Sequence, residues 1–141
     1  DGQAGSRLVF AGVGGNKHVH IQIDIGGAAG SSVYDQCRDL GLSVRDLDGS
    51  RASKGKDKSG KLSFINKRAE WHWRMMEMLD PSSKEPLALP PDAQLRSDLC
   101  AIRWRPTSRG IRIEEKEEII GRLGRSPDRA DAVATAFGTR D

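Results

Sequence analysis

The sequence predicts an α/β fold in which a parallel strand–helix–strand unit is followed by further helices and a hairpin. Apolar and polar residues alternate over residues 18–25, which is typical of a strand. A helical pattern over 31–40 and a short apolar run over 42–47 follow directly, and this order favours parallel pairing of the two strands. The 141 residues, 36% hydrophobic and 30% charged, have the size and composition of one globular domain.

The boundaries of the strand–helix–strand unit follow from small residues. Ser31 is predicted to cap the helix, because its hydroxyl can accept a hydrogen bond from the first turn, and Gly41 is predicted to end it. Ahead of the unit, an apolar run at 7–11 leads into a glycine-rich segment at 12–17 that we interpret as a hairpin turn.

The remainder of the chain is predicted to alternate between helices and one hairpin. The predicted elements are a polar loop at 48–61, helices at 66–80, 92–99, 115–123 and 126–137, and hairpin strands at 101–105 and 110–114. Asn66 and Ser126 are the predicted N-caps of two of these helices. Trp and Met residues at helical spacing over 69–79 indicate a core face.

Several classes of protein are not expected from the lengths of the apolar runs, the first residues and the spacing of the cysteines. No apolar run approaches the roughly 20 residues that a membrane helix requires, and the first residues do not show the pattern of a signal peptide. Cys37 and Cys100 form neither a disulfide framework nor a C-x-x-C motif, so a reducing intracellular compartment is expected. The net charge of +3 is compatible with binding to nucleic acid and with many other functions.

Three aspartates are candidates for chemistry. Asp24 ends the first alternating strand, where functional groups of parallel sheets gather, although an Asp also commonly begins a turn. Asp128 and Asp131 lie three apart in a predicted helix and so face the same side. At a separation of about 5 Å their repulsion is roughly 3 kcal/mol, which a divalent cation would relieve. Asp128 alternatively complements the helix dipole, with Asp131 merely solvated. Without metal, removing the charge of Asp131 should therefore leave the domain as stable as before or slightly more so.

The loop at 48–61 is strongly basic. Such a loop can contact phosphates, although a run of charges is more often only a solvated loop. The basic residues are Arg51, Lys54, Lys56, Lys58 and Lys61.

Three stretches in this order resemble the nuclease domain of the terminase large subunit of tailed bacteriophages. The first, at 21–35, is similar to the family's strand, acidic residue, glycine turn and helix. The second, at 64–73, contains an N-x-R-A-E segment. The third, at 114–132, resembles the family's K-x-E segment followed by S-P-D-x-A-D-A. The likeness covers residues 19–137.

This resemblance implies an RNase H-like mixed β-sheet flanked by α-helices, with an acidic site that binds two Mg²⁺ or Mn²⁺ ions. The implied activity is cleavage of double-stranded viral DNA during genome packaging. Asp24 and Asp131 would be metal ligands and catalytic residues, with Asp128 beside them as a ligand or its partner. Lys116 and the basic loop would contact the DNA backbone.

The resemblance also implies a biological setting. The expected partners, besides double-stranded DNA, are the terminase small subunit and the portal protein, in the host cytoplasm and away from any membrane. Residues 1–141 are expected to form one nuclease domain without the family's ATPase motor. The family also has an acidic first strand, whereas Asp1 is the only acid before Asp24 here, so either that strand is missing from this chain or the region diverges. Two alternatives stay open: a DNA-binding or docking module of a packaging motor without catalysis, and another RNase H-like nuclease such as a resolvase or transposase.

Overall fold

A computed structural model of the chain describes residues 14, 16, 18–26, 28–84 and 86–138. The predicted strand at 7–11 and most of the predicted turn at 12–17 lie outside the described residues. In chain order the elements are β1 (His20–Asp24), α1 (Ala28–Asp39), β2 (Ser43–Leu47), α2 (Lys67–Leu79), α3 (Ala93–Ala101), β3 (Trp104–Thr107), β4 (Gly110–Ile113), α4 (Lys116–Leu123) and α5 (Asp128–Ala136). None of the helices among these residues is long and apolar enough to span a membrane.

The predicted strand–helix–strand unit is confirmed. Strands β1 and β2 pair in parallel, with Asp24 opposite Leu47 at their carboxyl ends. The predicted cap at Ser31 is wrong, because α1 begins three residues earlier, at Ala28. Gly30 permits the close packing of this first turn, since a Cβ there would lie 2.0 Å from the carbonyl oxygen of Asp24. The glycine turn is therefore itself the start of the helix, and it packs directly on the end of β1.

Helix α2 forms the centre of the molecule and begins where the sequence predicts. Asn66 caps it, with Oδ1 accepting a hydrogen bond of 2.9 Å from the Ala69 N–H. The apolar face of α2 packs on β2 and α5 through one core cluster of Leu47, Trp71, Met75 and Ala134. The predicted core stripe is thus confirmed for Trp71 and Met75, whereas Met76 is exposed.

The predicted hairpin is confirmed, with β3 and β4 antiparallel and Trp104 opposite Ile113. Its first strand spans 104–107 and not the predicted 101–105, because α3 continues to Ala101. The turn end of β4 packs against the segment before α2, where the Ile111 N–H donates to the Ser63 carbonyl at 2.7 Å. Gly110 makes this approach possible: its φ is +130°, and a Cβ there would lie 2.7 Å from the Ser63 oxygen. The hairpin is therefore fixed to the body of the domain.

Helix α5 begins at Asp128 and lies next to β1. The predicted cap at Ser126 is wrong: Pro127 is the N-cap, and the Ser126 hydroxyl donates to Asp128 Oδ1 at 2.5 Å. Proline has no N–H and a fixed φ, so it suits the start of a helix. The other end of α5 is tied to β1 by a hydrogen bond from Gln22 Nε2 to the Ala136 carbonyl, 3.0 Å long. The early strand and the last helix therefore form one wall.

Candidate active site

A cavity of about 600 Å³ lies where β1, α2 and α5 meet the segment that precedes and begins α4. The three aspartates singled out by the sequence all line this cavity, although Asp24 is more than a hundred positions from Asp128 and Asp131. Glu115, Lys116 and Glu117 line it as well. The fold thus gathers acidic side chains from both ends of the described chain at one place.

Asp24 enters the cavity from the end of β1. Its Oδ1 accepts a hydrogen bond of 2.9 Å from the Gly26 N–H, which closes a short turn after the strand. The side chain is exposed. Asp24 therefore both begins a turn and belongs to the candidate site, because the turn holds its carboxylate at the cavity.

Asp131 is held by two side chains of α2. Arg68 Nη2 and Nε lie 3.1 and 3.3 Å from Asp131 Oδ1, and His72 Nε2 lies 3.0 Å from the same oxygen. His72 is buried, and the Asp131 side chain is only 22% exposed. Burial alone would raise the pKa of Asp131, but the hydrogen bond from His72 and the charge of Arg68 outweigh it and lower the pKa. Asp131 is therefore a carboxylate whose charge is balanced inside the protein.

Lys116 lies between the two aspartates of α5. Its Nζ is 3.2 Å from Asp128 Oδ1 and 3.9 Å from Asp131 Oδ2. The hydrogen bond from Ser126, followed by that from Lys116, lowers the pKa of Asp128. The repulsion expected from the sequence is thus already offset by an ammonium group and by the partners of Asp131. Asp131 was expected from the sequence to lose its charge without loss of stability. Removal of that charge would, however, also weaken these contacts.

Among the described residues that line the cavity, none is a predicted DNA-contacting residue of the basic loop. Lys58 Nζ donates to the Glu77 carbonyl at 3.2 Å and to the Ser83 hydroxyl at 3.0 Å. Glu77 is nine residues beyond Arg68 on α2, which is about 14 Å along the helix axis. Lys56 Nζ donates to the Ser63 hydroxyl at 2.8 Å. The structure therefore separates Lys116, which lies at the site, from the loop lysines, which do not.

Two residues at the site, Arg68 and His72, were not identified from the sequence. They lie four positions apart and so share a face of α2, and Arg68 belongs to the N-x-R-A-E segment. That spacing was a usable signal for a shared face. Their partner Asp131 lies about sixty positions further on, and no local pattern connects them.

The chemistry of the cavity fits a hard divalent cation. Carboxylate oxygens are the ligands that Mg²⁺ and Mn²⁺ prefer, and Asp24, Asp128 and Asp131 supply them on one cavity. Gln22, another lining residue, has a buried Oε1 with no hydrogen-bond partner in the described part of the chain, which adds an oxygen donor. Within the same residues, no three His, Cys, Asp or Glu side chains are already arranged around one metal position. Binding of an ion would therefore require Lys116 to withdraw from the aspartates.

Comparison with known proteins identifies the fold. No protein-family model matches the sequence, and no curated protein matches it. Among solved structures, the nuclease domain of the large terminase subunit of bacterial virus Sf6 superposes with a TM-score of 0.72 at 19% sequence identity, covering 99% of this chain and 72% of that chain.

Two structures of a mutant of that domain are equally similar in fold. One contains manganese (TM-score 0.72, 19% identity, 99% of this chain and 72% of that chain). The other contains calcium (TM-score 0.72, 18% identity, 99% of this chain and 71% of that chain). The mixed parallel and antiparallel strands, the flanking helices and this superposition together show that the chain has the RNase H-like fold of a terminase large-subunit nuclease domain.

Proposed function

We propose that this chain is a metal-dependent endonuclease domain that cuts double-stranded DNA during the packaging of a viral genome. One observation carries the proposal: Asp24, Asp128 and Asp131 line a single cavity in a chain that shares its fold with a terminase nuclease domain. A phosphodiester carries a negative charge, so a cavity of carboxylates suits it only with cations present. The proposed cofactor is therefore Mg²⁺ or Mn²⁺, with two ions per site.

Asp24 and Asp131 are the proposed metal ligands, and Asp128 is a ligand or a partner of one. When bound, the ions would activate water and stabilise the leaving oxygen in an in-line displacement. The manganese and calcium in the structures of the Sf6 domain support this choice of cofactor. The protein's own side chains would orient the metal ligands and bind the DNA.

Arg68 and His72 hold Asp131 through its Oδ1 atom, which leaves Oδ2 on the side of Lys116. Their bonds keep the carboxylate ionised and fix its orientation before substrate binds. The Gly26 N–H likewise fixes the orientation of the Asp24 carboxylate. Lys116 carries a positive charge at the mouth of the site, where it can pair with a DNA phosphate after leaving the aspartates. Because of this position, Lys116 is a proposed DNA-binding residue.

The wider setting of the proposal follows the same resemblance. The basic loop is proposed to contact the DNA backbone, a kind of contact that positions DNA without reading its sequence. The terminase small subunit and the portal protein are the proposed partners, in the host cytoplasm.

Digestion of plasmid DNA with and without Mn²⁺ tests the proposal. We expect the unmodified chain to cut only with Mn²⁺, and Asp131→Ala to lose cutting while it still binds DNA. Asp39→Ala is the control, because Asp39 is an exposed acid at the end of α1, outside the cavity. DNA binding without Mn²⁺-dependent cutting by the unmodified chain would instead favour a packaging-motor module without catalysis.

A further inference from the structure

The hairpin β3–β4 carries arginines on its outer face that the sequence did not single out. Arg105 and Arg112 lie directly opposite each other in the strand register. Arg103 lies two positions before Arg105 and so points to the same face, and Arg109 is in the turn. Like charges directly opposite each other on neighbouring strands destabilise a hairpin unless an anion lies near them. An anion is therefore expected beside at least one of these two arginines.

Within the part of the chain that the structure describes, one of these four arginines is neutralised by an ion pair. Arg112 Nη2 lies 2.7 Å from Glu115 Oε1. Across the described ranges, Arg103, Arg105 and Arg109 form no ion pair, and all three are exposed. The basic loop differs, since the lysines at 56 and 58 already donate to protein oxygens. In the described residues, the three hairpin guanidinium groups thus donate to no protein oxygen, whereas two of the loop lysines do.

The acids nearest the hairpin have other partners. Arg103, Arg105 and Arg112 line a groove of about 240 Å³ together with Glu114 and Glu118. Glu114 pairs with Arg122, and Glu118 accepts a hydrogen bond of 2.9 Å from the backbone of the residue that caps α4. The groove therefore keeps a positive excess.

The hairpin is rigid and leads to the cavity. Trp104, although 49% exposed, packs edge-on against Trp73 of α2 with ring centroids 5.0 Å apart. After β4, the Glu114 carbonyl accepts a hydrogen bond of 2.8 Å from Arg68. Lys116 lies four positions after Arg112, a span of at most about 14 Å. That distance corresponds to about four base-pair steps of 3.4 Å.

We infer that the outer face of hairpin β3–β4 binds the phosphate backbone of double-stranded DNA and holds the duplex beside the cavity. This inference rests on the proposed nuclease function. Guanidinium groups donate two parallel hydrogen bonds to phosphate oxygens, and a row of them on a rigid hairpin fixes position without reading bases. Arg103, Arg105 and Arg109 are the contacting residues.

The test replaces these three arginines by Gln together and measures binding of a fluorescent duplex by anisotropy at several salt concentrations in EDTA. The salt slope, log Kd against log salt, should fall by up to about 0.9 for each phosphate group that the variant no longer binds. Affinity at low salt should fall for all duplex sequences alike. Replacing the same three residues by Lys should restore most of the slope, because the charge remains.

A control variant carries the same change in net charge away from the hairpin. Its three sites, all exposed, are Arg45, Lys84 and Arg96. We expect it to keep most of the slope of the unmodified chain. Equal reductions of slope in the two variants would overturn the inference, since they would show a general charge effect. Binding of polyglutamate that depends on the hairpin, with unchanged DNA binding, would also overturn it and assign the surface to an acidic protein.

Two outcomes separate this inference from the proposed function. If the unmodified chain cuts DNA and the hairpin variant binds like the control, the hairpin inference fails and the nuclease proposal stands. If the hairpin variant has a reduced salt slope but the unmodified chain never cuts, the hairpin is a DNA-binding surface and the nuclease proposal fails. Circular dichroism and thermal unfolding of each variant ensure that only folded proteins are compared.

Discussion

His72 Nε2 lies 3.0 Å from Asp131 Oδ1, although the two residues are 59 positions apart in sequence. Arg68 binds the same oxygen one turn earlier on α2. Because the Asp131 carboxylate has two such partners and is partly buried, it stabilises the fold as well as belonging to the proposed site. This double role gives the first two predictions.

Asp131→Asn should destabilise the domain in metal-free buffer by about 1–3 kcal/mol, because Arg68 and His72 lose a charged acceptor. This is the opposite of the sequence-based expectation, which considered only the repulsion with Asp128. Urea unfolding in EDTA measures the difference. Asp128→Asn is the matched control, since that side chain is 74% exposed, and its free energy of unfolding should change by no more than about 0.5 kcal/mol. An Asp131→Asn variant as stable as the unmodified chain would restore the repulsion argument.

The stability conferred by Asp131 should depend on pH. Its pKa is lowered in the folded protein, so the folded state binds this proton less readily than the unfolded chain. The stabilisation is therefore complete above the unfolded value of about 4 and is lost as the pH falls through the lower folded value. Unfolding of the unmodified chain and of Asp131→Asn, measured in EDTA from pH 7 to pH 2.5, should give curves that converge below about pH 4. A constant difference down to pH 2.5 would contradict the lowered pKa.

Lys116→Ala should strengthen the binding of Mn²⁺, because the ammonium group competes for Asp128 and Asp131. The increase in melting temperature with Mn²⁺ concentration measures this affinity, since a ligand that binds only the folded state stabilises it. Lys84→Ala serves as the control, because Lys84 is exposed and lies outside the cavity. If Lys116→Ala changes DNA affinity and leaves the response to Mn²⁺ unchanged, Lys116 acts on DNA alone.

Neutralising Lys54, Lys56 and Lys58 tests the proposed role of the basic loop. If these lysines contact phosphates, DNA binding should weaken for all sequences alike, and the salt slope should fall by up to about one unit for each phosphate released. Lys56 and Lys58 must first give up hydrogen bonds to the protein, so we expect a smaller reduction of slope than from the three hairpin arginines. Unchanged affinity and slope would leave the loop as a solvated connector.

Gly30→Ala should destabilise the domain by about 2 kcal/mol or more, because the added methyl group would meet the Asp24 carbonyl at 2.0 Å. The control is Gly121→Ala in α4, where no heavy atom lies within 4 Å of the added Cβ. That change should stabilise the helix by roughly 0.5–1 kcal/mol. Both free energies come from urea unfolding. Equal effects of the two substitutions would show that α1 can move away from β1 without cost.

The features that the sequence predicted well depend on neighbours in the chain. The cap at Asn66, the alternation in β1 and the hairpin are set by residues a few positions apart, and the structure confirms them. Ser31 failed as a cap because α1 begins three residues earlier, where Gly30 permits close packing on Asp24, and helix-capping preference carries no information on that contact.

The candidate site was predicted only in part for a similar reason. Acidic residues at the end of a strand and on one helix face can be found locally, so Asp24, Asp128 and Asp131 were named. The side chains that bind Asp131 come from α2, and side-chain pairing across about sixty residues has no local pattern. The hairpin arginines were missed because their significance depends on which acids have other partners, and those pairs are set by the folded structure.

The hydrogen bond between Gln22 of β1 and Ala136 of α5 has a consequence for the timing of synthesis. Asp24 leaves the ribosome roughly a hundred residues before Asp131, which at 5–20 residues per second is about 5–20 s. During that interval the early strand has no last helix to pack against, and the wall that carries Asp128 and Asp131 does not exist. A nascent or truncated chain therefore cannot assemble the proposed site, so nuclease activity would begin only once the last helix has been made.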